Sequence, residues 1–166
     1  FNRYADKGNW YYEIVELGYK YNMDNIQGAL GVEQLKKLES FIEKRRKLAN
    51  LYTSLLKGVP GIIMPVEKEY TRHSYHLYPI LLDIENMSMS RGEFIDKLKE
   101  HNIGASVHFI PLHLHPYYQK TYGYKKGDFP NAEYLFDREV SLPLYPGMSE
   151  EDIRYVAEAI KEIIGK

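Results

Sequence analysis

The feature that most constrains this chain is a long run of helical periodicity that begins directly after an aromatic loop. Apolar residues recur at Ile26, Leu30, Leu35, Leu38, Ile42, Ala49, Tyr52 and Leu56, at spacings that keep them near one stripe with some drift. Asp24 can cap this helix while Gln27, three residues on, reaches back to it. Gly58 and Pro60 end the run. A helix over 24–57 would be about 50 Å long at the standard helical rise. A small domain does not need that length, so part of the helix is expected to reach another domain or subunit.

The loop before it reads GYKYNM from Gly18. Lys20 and Asn22 alternate with Tyr19 and Tyr21, which in extended chain puts two nitrogen donors on one side and two rings on the other. Such a loop can face an anion while its rings anchor it to a neighbouring surface. It can equally be a connector whose polar residues face water, and spacing alone leaves both readings open.

Beyond Gly61 the pattern changes. Residues 75–83 (YHLYPILLD) form a β-type run in which Pro79 points to an edge position or a bulge. Ser90 and Glu93 make a capping box for a helix carrying Phe94, Ile95 and Leu98, which stops near Gly104. Residues 105–109 read as a short strand, 111–128 as loop with a short helix, and 131–138 as helix. Residues 140–144 (VSLPL) read as a strand interrupted by Pro143. Ser149 caps a last helix that buries Ile153, Val156, Ile160 and Ile163 or Ile164. The expectation is an α/β (α+β) fold, with helices on one face of a small, largely antiparallel or mixed sheet.

Composition narrows the function. The 166 residues carry 22 basic and 23 acidic side chains, a balance that argues against a dedicated nucleic-acid binder. Sixteen tyrosines suit a partly wet cleft or interface. With no cysteine there are no disulfides, thiolate metal sites or cysteine nucleophiles, which fits a reducing compartment. No apolar run approaches the roughly 20 residues of a membrane span. The chain starts at Phe1 rather than Met, so a fragment or processed piece is expected.

Three clusters invite a functional reading. His108, His113 and His115 crowd one segment, yet only Glu100 offers a carboxylate nearby, so they read as a loop lining a polar cleft rather than a metal site. His108, at a strand end, is the one expected to face a substrate. Lys44, Arg45, Arg46 and Lys47 cover every face of one helical turn and read as a solvated turn paired with Glu39 and Glu43. Glu150, Glu151 and Asp152 open the last helix, where negative charge favours the helix dipole. Gly-rich phosphate loops, a metalloprotease helix and a nucleophile elbow are all absent from the sequence.

The stretch GYKYNMDNIQGALGVEQLKKLE, followed by Arg45, Arg46 and Tyr52, closely resembles the pyridoxal-phosphate-dependent nucleotide-sugar aminotransferases of the DegT/StrS group. Further matches keep the family order: HSYHLY from His73, IGASVH ending at His108, Pro111 to His113 with Tyr117 and Tyr118, NAE from Asn131, and SLPLYP from Ser141. The resemblance implies the carboxy-terminal part of a fold-type-I enzyme. Its expected divisions are 1–23 as the end of the cofactor domain with an active-site loop, 24–57 as an interdomain helix, and 58–166 as a small α/β domain. It also implies pyridoxal 5'-phosphate, a homodimer with a composite active site, nucleotide-ketosugar and glutamate substrates, and a cytoplasmic setting.

The family's cofactor-anchoring lysine is expected upstream, so no catalytic residue is assigned here and the segment alone is expected to be inactive. Many members carry Asn and Arg where this chain has Lys20 and Asn22, a pattern similar to the branch that aminates a 4-keto sugar for lipid A modification. Asn22 first, and Lys20 second, are expected at the cofactor phosphate, with His108 and Tyr19 at the substrate. A dehydrating relative that binds the same cofactor and a non-catalytic interaction module are the alternatives.

Overall fold

The computed structural model describes residues 13–165, which fall into two compact units parted between Lys37 and Leu38. Of the extended segment expected over 1–23, residues 1–12 lie outside the described residues; 13–24 carry no helix or strand. Helix α1 spans Asn25–Leu56. Asp24 Oδ1 accepts the Gln27 N–H at 2.7 Å while Gln27 Oε1 accepts the Asp24 N–H at 3.1 Å, the expected reciprocal cap. Past its last turn Gly58 takes φ +79°, a conformation that a Cβ would strain.

The apolar stripe divides sharply. Leu48, Ala49, Tyr52 and Leu56 are buried, whereas Ile26 is 74% and Leu30 61% exposed, with Leu35 and Leu38 exposed as well. Only the last turns of α1 meet the core.

Strands β1 (Ile62–Ile63), β2 (Tyr78–Leu82) and β3 (Glu139–Leu142) form an antiparallel sheet in the order β1-β2-β3. Helix α2 (Arg91–Glu100) follows β2. A 3-10 turn at Leu112–Leu114, α3 (Pro116–Tyr122) and α4 (Pro130–Arg138) precede β3, and α5 (Glu150–Ile164) closes the chain. Ser90 with Glu93 and Ser149 with Asp152 make full capping boxes. Tyr78, Ile80 and Leu82 point into one core with Tyr52, Phe94, Leu98, Ile153 and Ile160, all fully buried. Each such side chain contributes about 1.5–3 kcal/mol by leaving water.

Three expectations need correction. First, β2 is the central strand, although it holds Pro79. Ser141 exchanges both its backbone groups with Ser106, at 2.8 and 3.3 Å, so its pairing with Pro79 is of the non-hydrogen-bonded kind. The Pro79 nitrogen therefore faces the other side of β2, where β1 pairs only with Leu81 and Leu82. The proline sits at a local edge within a central strand. Second, the strand expected over 105–109 shrinks to the single Ser106 bridge. Third, helices do not share one face, because α4 covers the face of the sheet opposite the core.

The basic run on α1 is not a solvated turn. Arg45 Nη1 donates to the carbonyls of Tyr75 (3.2 Å), His76 (2.9 Å) and Leu144 (2.9 Å). Arg46 Nη1 donates to Glu67 Oε1 and to the His73 carbonyl, both at 2.7 Å. Lys47 pairs with Glu150, and Glu39 pairs with Arg72 rather than with the run. The arginines hold the entry to β2, where Tyr75 has φ +48°, an unusual angle for a bulky residue. Tyr52 adds a hydroxyl bond to the Pro143 carbonyl at 3.0 Å. Arg45→Ala should lower the unfolding free energy by about 2–3 kcal/mol in chemical denaturation, since three acceptors lose a charged donor together. Arg45→Lys should recover less than half of that, because a shorter and more strongly hydrated ammonium must reach the three carbonyls that one guanidinium nitrogen serves.

Candidate functional site

Alternation along β2 gives the sheet a second face. Leu77, Pro79 and Leu81 line a cavity of about 460 Å3, within the ~300–1,000 Å3 typical of small-molecule sites. Ala132, Leu135 and Phe136 of α4 close one side, while Met64, Pro65, Phe109 and Pro111 close the rest. Two lining residues are polar, His108 and Glu139. The expected polar cleft is thus a largely apolar one with a polar corner.

His108 is half-buried, and its ring packs edge-on against Phe109 at 4.7 Å. Its Nδ1 is buried with no hydrogen-bond partner among the described residues. A buried polar nitrogen without a partner is costly. The His108 N–H donates to Glu139 Oε2 at 2.9 Å. Glu139 Oε1 accepts from Ser141 Oγ at 2.5 Å. Sequence reading passed over Glu139. A carboxylate at the head of a strand that runs on as Val140, Ser141 and Leu142 was the available signal.

The other histidines part company with His108. His113 is buried, with Nε2 2.8 Å from Glu133 Oε1 and its ring 4.8 Å from Phe129. Glu133 also accepts the Gly127 N–H at 2.7 Å. Its partner Glu133 lies twenty residues away in sequence, so nearness along the chain does not reveal it. His113 is a brace between the 3-10 turn and α4. His115 precedes α3 without a side-chain cap.

Lys20, Asn22 and Tyr19 belong to the first unit and His108 to the second. Tyr19 is 90% exposed, and its ring lies 6.2 Å from that of Tyr21. Lys20 and Asn22 are exposed, and neither makes a hydrogen bond or ion pair with another described residue. An ammonium and a carboxamide free to donate are a donor set that fits a phosphate group.

A small antiparallel sheet flanked by helices, with one long leading helix, is the mixed architecture of solved pyridoxal-phosphate aminotransferases, whose length it matches over about 40%. The model of the DegT/DnrJ/EryC1/StrS aminotransferase family matches residues 2–161, and the chain belongs to that family. It is 48% identical over 164 residues to the spore coat polysaccharide biosynthesis protein SpsC of Bacillus subtilis, covering 98% of this chain and 42% of that protein. It is 38% identical to the UDP-4-amino-4-deoxy-L-arabinose–oxoglutarate aminotransferase of Shewanella sediminis, covering 92% of this chain and 41% of that one. Among solved structures, the PLP form of the Streptococcus pneumoniae protein Spr1654 superposes with a TM-score of 0.82 at 31% identity, over 94% of this chain and 39% of the other. The chain therefore spans about two fifths of the length of the relatives it matches.

The Glu133 carboxyl is held below its ordinary value of 4.5, first by the Gly127 N–H and then by the bond to His113. A lowered carboxylate contributes stability that is complete above the unfolded value and is lost as the pH falls through the folded one. Glu133→Gln should therefore melt below wild type at neutral pH, with the gap narrowing as the pH falls below 4.5. Thermal melts across that range check it.

Proposed function

We propose that this chain is the small-domain part of an aminotransferase that converts a nucleotide-linked ketosugar to an aminosugar, with glutamate as amino donor, in cell-surface polysaccharide or lipopolysaccharide synthesis. The observation that carries this reading is the largely apolar cavity with His108 at its polar corner, in a chain of the sugar-aminotransferase type. Bound pyridoxal 5'-phosphate would supply the electron sink for moving the amino group.

The chain's own residues do the rest of the work assigned to this part. Asn22 donates amide hydrogens to the cofactor phosphate, and Lys20 adds a positive charge beside it. Tyr19 lines the substrate, and His108 faces the sugar at the polar corner of an otherwise apolar wall. The catalytic lysine lies outside residues 1–166. The working form is a cytoplasmic homodimer in which the loop of one subunit completes the pocket of the other, and the exposed apolar stripe of α1 suits such a contact. Residues 24–57 bridge the cofactor domain and the small domain of 58–166.

The test uses the intact enzyme, which should aminate a member of a panel of nucleotide-linked ketosugars in the presence of glutamate and cofactor; residues 1–166 alone should not. Asn22→Ala should raise the cofactor dissociation constant about tenfold, the loss expected from one charge-assisted hydrogen bond. Unchanged cofactor retention on dialysis would remove Asn22 from the phosphate.

A further inference from the structure

We propose that Glu139 is a positioning residue for His108: its carboxylate stands in for a strand carbonyl and holds the imidazole at the cavity wall. The inference rests on the reading of that cavity as the substrate site.

The argument starts from register. Ser106 and Ser141 exchange both backbone hydrogen bonds, so the next bonded pair of a regular antiparallel ladder would set His108 against Glu139. The ladder cannot continue there, because the Glu139 N–H is donated to the Leu135 carbonyl and closes the last turn of α4. That N–H would have gone to the His108 carbonyl, and the His108 N–H, for its part, does not pair with the Glu139 carbonyl. It donates instead to Glu139 Oε2 at 2.9 Å. The side chain substitutes for the main chain at the same register position.

The carboxylate is itself held. Its second oxygen accepts from Ser141 Oγ at 2.5 Å, and the two residues are 8% and 4% exposed. Both oxygens of a buried carboxylate are thus occupied, which leaves it little freedom to turn. Ser141 serves twice, through its backbone to Ser106 and through its hydroxyl to Glu139. The segment 106–108 is pinned to β3 at two points two residues apart, and the second point is His108 itself. The imidazole Nδ1 takes no partner of its own, so its placement depends on this backbone anchor.

The test compares Glu139→Ala, Glu139→Gln and His108→Ala in the intact enzyme. The substrate is whichever member of a panel of UDP- and dTDP-linked 4-ketosugars wild type uses best, with glutamate as donor. Gln keeps an acceptor for the His108 N–H and a group that can bond the Ser141 hydroxyl; Ala keeps neither. Glu139→Ala should raise the KM for the sugar nucleotide about tenfold or more, with the KM for glutamate within about threefold, and should speed hydrogen exchange of the His108 amide. Glu139→Gln should stay within about threefold of wild type in all three readings. Glu139→Met, which retains length without an acceptor, replaces the alanine variant where alanine does not fold.

An unchanged sugar KM in Glu139→Ala alongside a raised one in His108→Ala overturns the positioning role alone. So does a Gln variant as impaired as the Ala variant. A wild-type sugar KM in His108→Ala, or no turnover of any panel member by wild type, shows that the cavity reading itself is wrong, and the role of Glu139 falls with it.

Discussion

One constraint organises the second unit, the register of β2 on β3. Tyr78 faces Leu142, Pro79 faces Ser141, Ile80 faces Val140 and Leu81 faces Glu139. Side chains alternate between faces, so this register sends Tyr78, Ile80, Val140 and Leu142 to the core and Pro79, Leu81, Ser141 and Glu139 to the opposite face, where Pro79, Leu81 and Glu139 line the cavity. A slip of one residue would move every one of them to the wrong side. The same register makes the Pro79–Ser141 pair one that needs no proline N–H, and it leaves the Ser141 backbone free for Ser106. Core, cavity and the anchoring of His108 all follow from it.

Helix α1 guards the two chain ends that meet at this register. Tyr78 enters β2 opposite Leu142, and just outside that pair lie the carbonyls that Arg45 gathers from Tyr75, His76 and Leu144. Left-handed backbone at a residue such as Tyr75 costs on the order of 1–3 kcal/mol. Charge-assisted bonds from two guanidinium groups are of the size needed to offset it. Beneath them Tyr52 and Tyr78 pack with ring centroids 5.0 Å apart, and Tyr78 shares its hydroxyl with Thr53 at 2.8 Å. Burial pushes the Tyr78 phenol up to about 12, so it remains a neutral hydrogen-bonding group inside the core.

What the sequence made legible was local. The caps at Asp24, Ser90 and Ser149 and the buried row of α5 depend on residues three or four apart, and each is present as expected. What it hid depends on distant partners. Arg45 looked like one turn of a charged surface because its acceptors lie 30 to 99 residues away. His113 looked like a cleft residue because Glu133 comes from the next helix but one. Pro79 suggested an edge strand, and the local edge it occupies becomes visible only once β1 is seen to end at Ile63. The first half of α1 shows the same apolar period as the second, yet periodicity cannot say which half meets this chain's own core.

The proposed function divides along the same line between the two units. The loop carrying Lys20 and Asn22 presents donors suited to phosphate, while the second unit supplies a mostly carbon-walled cavity with His108 at its polar corner. The sheet register underlies the second of these, and a cross-strand disulfide tests it most directly in a chain with no native cysteine. Cα atoms of a non-hydrogen-bonded antiparallel pair lie about 4.5 Å apart, within disulfide reach. Oxidised Pro79→Cys/Ser141→Cys protein should cross-link fully, and Pro79→Cys/Val140→Cys should remain reduced. Cross-linking of the 79/140 pair in preference to 79/141 would contradict the register and everything drawn from it.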